Sequence, residues 1–279
     1  YSAGDKTVNY HGTTVFTQMF RGLWGEMYNV AEAAGLFKVV PVGINDVKDF
    51  EAKIKEYNKG KYKTAGFLHE IVMMNYGGIA LTKDFLQTAY RLCEETDTPT
   101  LDDEIQSCMW YGGMYLYRKF DIKPDFVVIG KGFPGGEYPA SKILTTAEYD
   151  TLSQFGALVT NGQEELASLA YLVTMNFALE NRDEIDRLGR YFHEGLEGVA
   201  KRHPDRISKI EGIGHLSAIH FNTVEDAAVI TKKLHDACVD ASAQLYKANC
   251  VPAVLFKPPV LASEKVLDRI VEIIEGILD

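Results

Sequence analysis

The stretch DFVVIGKGFPGGEYPAS, residues 125–141, decides the fold. Its first part, Phe126 to Ile129, is a continuous β-branched and aromatic run, the composition of a strand covered on both faces in a parallel sheet. The strand ends in Lys131 and a loop with glycines at 130, 132, 135 and 136. An ammonium at the end of an apolar strand meets a desolvation penalty that lowers its pKa, and glycines let backbone approach a flat ligand closely. From these residues alone Lys131 reads equally well as a surface lysine in a strand-to-loop turn.

Working outward, Phe67 to Val72 is a second short apolar run, followed by Gly77, Gly78 and Thr82, an N-cap for a helix carrying Phe85, Leu86, Ala89, Tyr90, Leu92 and Cys93 at helical spacing. TDTPTL then leads into an extended segment ending at Asp102 and Asp103, so a strand–helix–strand unit precedes the lysine strand. Asp103 and Glu104 close that strand at the edge where α/β sheets bind ligands, and a carboxylate there suits a pyridinium nitrogen. The alternative is a helix beginning near Glu104 and capped by Asp102 or Asp103.

From about Glu164, Leu166, Leu169, Ala170, Val173, Phe177 and Ala178 predict an apolar helix, and Ile185, Leu188, Phe192, Leu196 and Val199 a second one. RISKIEGIGHLSAIHF reads as two strands around Gly212 and Gly214, and Ser263 caps a final amphipathic helix through Val266, Leu267, Ile270, Ile274 and Ile277. The expectation is an α/β large domain over 1–184 with a mostly parallel sheet, and a small C-terminal α+β domain over 185–279.

Composition narrows the function classes. The 279 residues carry 29 Lys+Arg against 39 Asp+Glu, a net charge of −10, the wrong sign for a broad grip on nucleic-acid backbones. Mean hydropathy is −0.11 and no run approaches the length of a membrane-spanning helix, which predicts a cytoplasmic protein. Cys93, Cys108, Cys238 and Cys250 lack metal-ligand spacing and read as reduced thiols, so no metal is expected. The chain opens on Tyr1 with an apolar, turn-rich segment, which predicts that its natural beginning is missing.

DEIQS at 103–107 followed by GKGFPGGEYPAS at 130–141 resembles the paired signatures of class III pyridoxal-phosphate aminotransferases, which have the fold type I architecture. The resemblance runs through NYHGTT (9–14), HEIVMMNYGG (69–78), TNGQEELASLAY (160–171), EGIGHLSAIHF (211–221) and VLFKPPVL (254–261), in the family's order. It implies pyridoxal 5'-phosphate as cofactor, with Lys131 as the lysine that forms the internal aldimine and carries a proton. It likewise implies that Asp103 pairs with the pyridinium nitrogen, Gln106 lies near the phenolic oxygen, Tyr10 stacks on the ring and His11 shapes the turn beside it. Glu70 stands at the substrate side. Thr160 reaches the cofactor phosphate of a neighbouring subunit, which implies a homodimer with shared sites.

Three departures stand out. The family's serine- and glycine-rich phosphate loop, upstream of the aromatic-His-Gly segment, has no counterpart. Leu255 occupies the place of the arginine that clamps a substrate carboxylate, with Lys257 beside Pro258, and Met73 and Met74 replace residues that are commonly polar. The implied reaction moves an amino group from an amine or amino acid to a keto acid or aldehyde. A racemase, mutase or lyase of the same family, and a non-catalytic homologue or fragment, are the alternatives.

Overall fold

The computed structural model describes residues 34–133, 135, 136, 138, 140–153, 155, 156, 164–245 and 250–279. These divide into two compact units: Val42–Ile71 with Leu81–Arg182, and Val72–Ala80 with Asp183–Asp279 and the described residues up to Pro41.

The first unit is built on a four-stranded sheet. Helix α1 (Val47–Tyr57) leads to β1 (Phe67–His69), and helix α2 (Lys83–Glu95) leads to β4 (Thr100–Asp103); β2 (Val72–Met73) and β3 (Ile79–Ala80) form the hairpin between, which belongs to the second unit. The apolar run from Phe67 to Val72 is therefore interrupted at Glu70 and Ile71. Thr82 caps α2 as expected, its side chain accepting from the Phe85 N–H at 3.2 Å. Strands β5 (Phe126–Ile129) and β6 (Lys142–Thr145) complete the order β1-β4-β5-β6, with β1–β4 and β4–β5 parallel and β5–β6 antiparallel. An aromatic cluster of Phe50, Phe67 and Phe85 joins α1, β1 and α2, with edge-to-face contacts at 4.8 to 6.4 Å.

No helix begins at Glu104. Turns fill the segment up to a short 3-10 helix at Leu116–Phe120, because Asp103 accepts from the nearby Ile105 N–H and Glu104 from the distant Leu116 and Tyr117 N–H groups instead of capping a helix. Helix α3 (Glu165–Glu180) is capped by Glu164, which accepts from Leu166 and Ala167. Its buried residues are Ala167, Tyr171, Thr174 and Ala178, whereas Leu166, Leu169, Val173 and Phe177 of the expected apolar stripe are exposed.

In the second unit, α4 (Arg182–Arg202), α5 (Val224–Asp236) and α6 (Glu264–Leu278) pack with an antiparallel sheet of β7 (Ile207–Ile213), β8 (Leu216–Phe221) and β9 (Ala253–Phe256). Ile185, Leu188, Phe192, Leu196 and Val199 of α4 are all buried, as their spacing predicts. Ser263 stands at the N-cap of α6, but its side chain makes no capping hydrogen bond. All four cysteines are free thiols, and no described helix is long and apolar enough to cross a membrane.

Candidate functional site

Parallel pairing sets the site. Because β1, β4 and β5 run the same way, the residues that follow them emerge at one edge: Glu70 after β1, Asp103 at the end of β4 and Lys131 after β5. Asp103 is buried, and its Oδ1 accepts from the Ile105 N–H at 3.1 Å. Glu70 is buried as well, and Gln106 is half-buried in the turn that follows Asp103.

Lys131 lies in a tight turn closed by the Phe133 N–H donating to the Gly130 carbonyl at 3.1 Å. Its φ of 53° is left-handed, a conformation costly for a residue with a Cβ and found where surrounding structure enforces it. The enforcement comes from Phe133, a buried anchor whose ring lies 5.1 Å from Tyr171 of α3 and 6.3 Å from Tyr115. Burial pushes the Tyr171 phenol up to about 12.

The lysine is less enclosed than its strand suggests. Lys131 is exposed as a residue, yet partial desolvation holds its amine below the ordinary lysine range, while the negative charges of Glu70 and Asp103 act in the opposite direction. Both carboxylates thus act on the Lys131 amine at the strand ends.

Glu104 takes a different role. It is fully buried and accepts from the Leu116 and Tyr117 N–H groups at 2.8 Å each and from the Ser107 hydroxyl at 3.3 Å, so it organises the turn after β4. Desolvation nevertheless pushes its carboxyl up to about 7. Beneath the same strands the structure reveals a polar cluster unforeseen in the sequence: His69, Tyr90 and Asp102, with His69 Nε2 2.8 Å from the Tyr90 hydroxyl. Its signal was strand parity, since Asp102 must face away from Asp103.

Tyr10, His11 and Thr160 lie outside the described residues. Among the described residues, His203, Glu275 and Asp279 form a group with metal-ligand types, but Arg202 already binds Glu275 through Nε and Nη2 at 2.6 Å each, which opposes a cation there.

A mostly parallel α/β sheet with an amine and two carboxylates gathered at one edge agrees with the fold type I architecture that the resemblance implies. The chain belongs to the class III aminotransferase family, whose description "Aminotransferase class-III" matches residues 9–278. The ornithine aminotransferase of Plasmodium chabaudi chabaudi is 27% identical over 261 residues, 88% of this chain and 58% of the relative. The acetylornithine aminotransferase of Caldanaerobacter subterraneus subsp. tengcongensis is 22% identical over 245 residues, again 58% of its own length. The structure of the ornithine aminotransferase from Plasmodium yoelii shares the fold with a TM-score of 0.75 over 86% of this chain and 62% of its own, at 24% identity. The chain thus spans less than two thirds of the length of these relatives.

Proposed function

We propose that this chain acts as a pyridoxal-phosphate-dependent aminotransferase that moves an amino group from an amine or amino acid to a keto acid or aldehyde. The observation that carries the reading is the convergence of Lys131, Asp103 and Glu70 at the C-terminal edge of β1, β4 and β5. The donor set fits the cofactor: an amine of lowered pKa for its carbonyl carbon and a buried carboxylate for its ring nitrogen. When bound, the cofactor withdraws electron density from the substrate carbon that loses its proton.

The rest is the work of this chain. Asp103 holds the ring nitrogen in its protonated form, because a buried carboxylate stabilises a cation at hydrogen-bond distance. Lys131 Nζ, as a free amine, takes the proton from the substrate carbon and returns it during transfer; a lowered pKa keeps more of it in the basic form near neutral pH. Gln106 orients the phenolic oxygen, and Glu70 faces the substrate side. Tyr10, His11 and Thr160 complete the set through the family resemblance, as ring-stacking, turn-shaping and phosphate-binding residues. The unit containing β1, β4 and β5 is the cofactor domain, and the unit from Asp183 onward the small domain.

The protein acts as a homodimer with shared sites. Support comes from the exposed apolar side chains along α3, which follows Thr160 in the chain and presents Leu166, Leu169, Val173 and Phe177 on one side.

Pyridoxal phosphate added to the purified protein should give a visible absorption band, and borohydride followed by peptide mapping should place the reduced adduct on Lys131. Lys131→Ala should lose both the adduct and all transamination. An adduct on another lysine, or turnover retained in the variant, overturns the reading.

A further inference from the structure

Asp102, Asp103 and Glu104 are three consecutive carboxyl groups exposed by only 0%, 3% and 0%. Strand geometry separates them. Asp102 is the register partner of His69, and the two share the face opposite to Asp103 and Glu70, with His69 Nδ1 3.5 Å from Asp102 Oδ1.

The three groups differ in what compensates them. Glu104 accepts two backbone N–H groups and a hydroxyl, and Asp103 accepts one N–H and lies within the electrostatic reach of Lys131. Asp102 has neither: among the described residues no donor meets Oδ1 or Oδ2, and His69 Nδ1 lacks a hydrogen-bond partner too. A carboxylate ion buried without donor or cation is far costlier than the neutral acid. As the neutral acid, Asp102 has an O–H to offer the acceptor atoms beside it.

We propose that Asp102 is held as a neutral carboxylic acid and is a positioning residue for Asp103, its proton shared within the His69–Asp102–Glu104 cluster that ties the ends of β1 and β4, so that of the three consecutive carboxyl groups Asp103 is the one that presents an ionised carboxylate at the ligand edge. The proposal rests on the assignment of Asp103 to the cofactor ring. The titratable groups that act on Asp102 are His69 of β1, Tyr90 of α2 and Glu104 of its own segment, with Glu70 just after β1 and Asp103 acting from the opposite face. Burial first, then the charge of Glu104, drives the Asp102 carboxyl well above the usual range, and burial lowers His69 to about 3, leaving its imidazole neutral.

The test compares the parent with Asp102→Asn, Asp102→Ala and Asp103→Asn. Without added cofactor, a group protonated in the folded chain and ionised in the unfolded one above roughly pH 4 makes stability fall as pH rises, and Asp102→Asn removes that fall. Between pH 5 and 7 the unfolding constant of the parent, relative to Asp102→Asn, should grow about tenfold per pH unit. Parallel stability curves overturn the proposal. If the variants do not fold, carboxyl carbon-13 NMR of aspartate-labelled parent decides: one aspartate still protonated at pH 7 is expected, and every aspartate ionised by then overturns it.

With pyridoxal phosphate added, Asp102→Ala should shift the pH dependence of the visible band and Asp102→Asn should restore it, whereas Asp103→Asn should not. If Asp102→Asn shifts the band as Asp103→Asn does, Asp102 is the ring partner and the inference fails while the aminotransferase reading stands. If even the parent takes up no cofactor, that reading fails, and the cofactor-free stability curves still decide the state of Asp102.

Discussion

At the scale of single residues, the backbone is most tightly constrained where side chains with a Cβ are hardest to place. Gly212, near the end of β7, has a φ of 99°, and a Cβ built on it would lie 1.9 Å from the Leu216 carbonyl oxygen. Neither the dihedral nor the space admits a side chain without a shift of the hairpin that joins β7 to β8. Gly212→Ala should therefore destabilise the protein by about 3 kcal/mol, combining left-handed strain with overpacking. Urea unfolding measures this directly, and a loss below about 0.5 kcal/mol would show that the hairpin relaxes freely. Lys131 pays a similar conformational cost in the opposite cause: its left-handed turn is kept although a lysine occupies it, because Phe133 pins the loop beneath α3. At this scale the sequence was legible in residue type and position along the strands, which is how Asp103 and Lys131 could be singled out. The pairing of Asp102 with His69 was not, since it depends on which strands become neighbours, and residues 69 and 102 meet only through the parallel register.

Among elements, α2 shows how local chemistry positions the site. It lies between β1 and β4 in the chain, and its buried face of Phe85, Leu86, Ala89, Leu92 and Cys93 holds the two strands whose ends carry Glu70 and Asp103. Its start is set twice over, since the Thr82 side chain accepts from the Phe85 N–H while the Thr82 N–H donates to Asn45 Oδ1 at 2.8 Å. Thr82→Ala removes only the side-chain cap, and the expected loss is about 1 kcal/mol in thermal or denaturant unfolding with the fold retained. An unchanged midpoint would mean that the Asn45 contact alone fixes the helix start. Helix α2 and α4 were readable because their apolar residues repeat at the helical period and end up buried. The segment after Glu104 was not, because its two acidic residues suit a helix start and an N–H-binding turn equally, and the choice falls to the Leu116 and Tyr117 amides far along the chain.

For the whole molecule, α3 carries the decisive unsatisfied surface. Leu166, Leu169, Val173 and Phe177 recur on one side of the helix and are exposed by 43–60%, while Ala167, Tyr171, Thr174 and Ala178 are buried on the other. A helix apolar on both sides is stable in water only when a second surface covers the outer one. The apolar pattern of α3 was evident from the sequence, but periodicity reports apolar faces and not what covers them. If a second copy of the chain is the cover, the purified protein should sediment as a dimer at micromolar concentration, and Leu169→Glu with Val173→Glu should raise the dimer dissociation constant at least about a hundredfold, since each burial contributes roughly 1.5–3 kcal/mol. Analytical ultracentrifugation reads both. Because both substitutions lie on the exposed side, the far-ultraviolet circular dichroism should stay unchanged, so that a monomer with intact helix content assigns the face to self-association. A parent chain that remains monomeric throughout the concentration range removes the shared-site model, and with it the role given to Thr160.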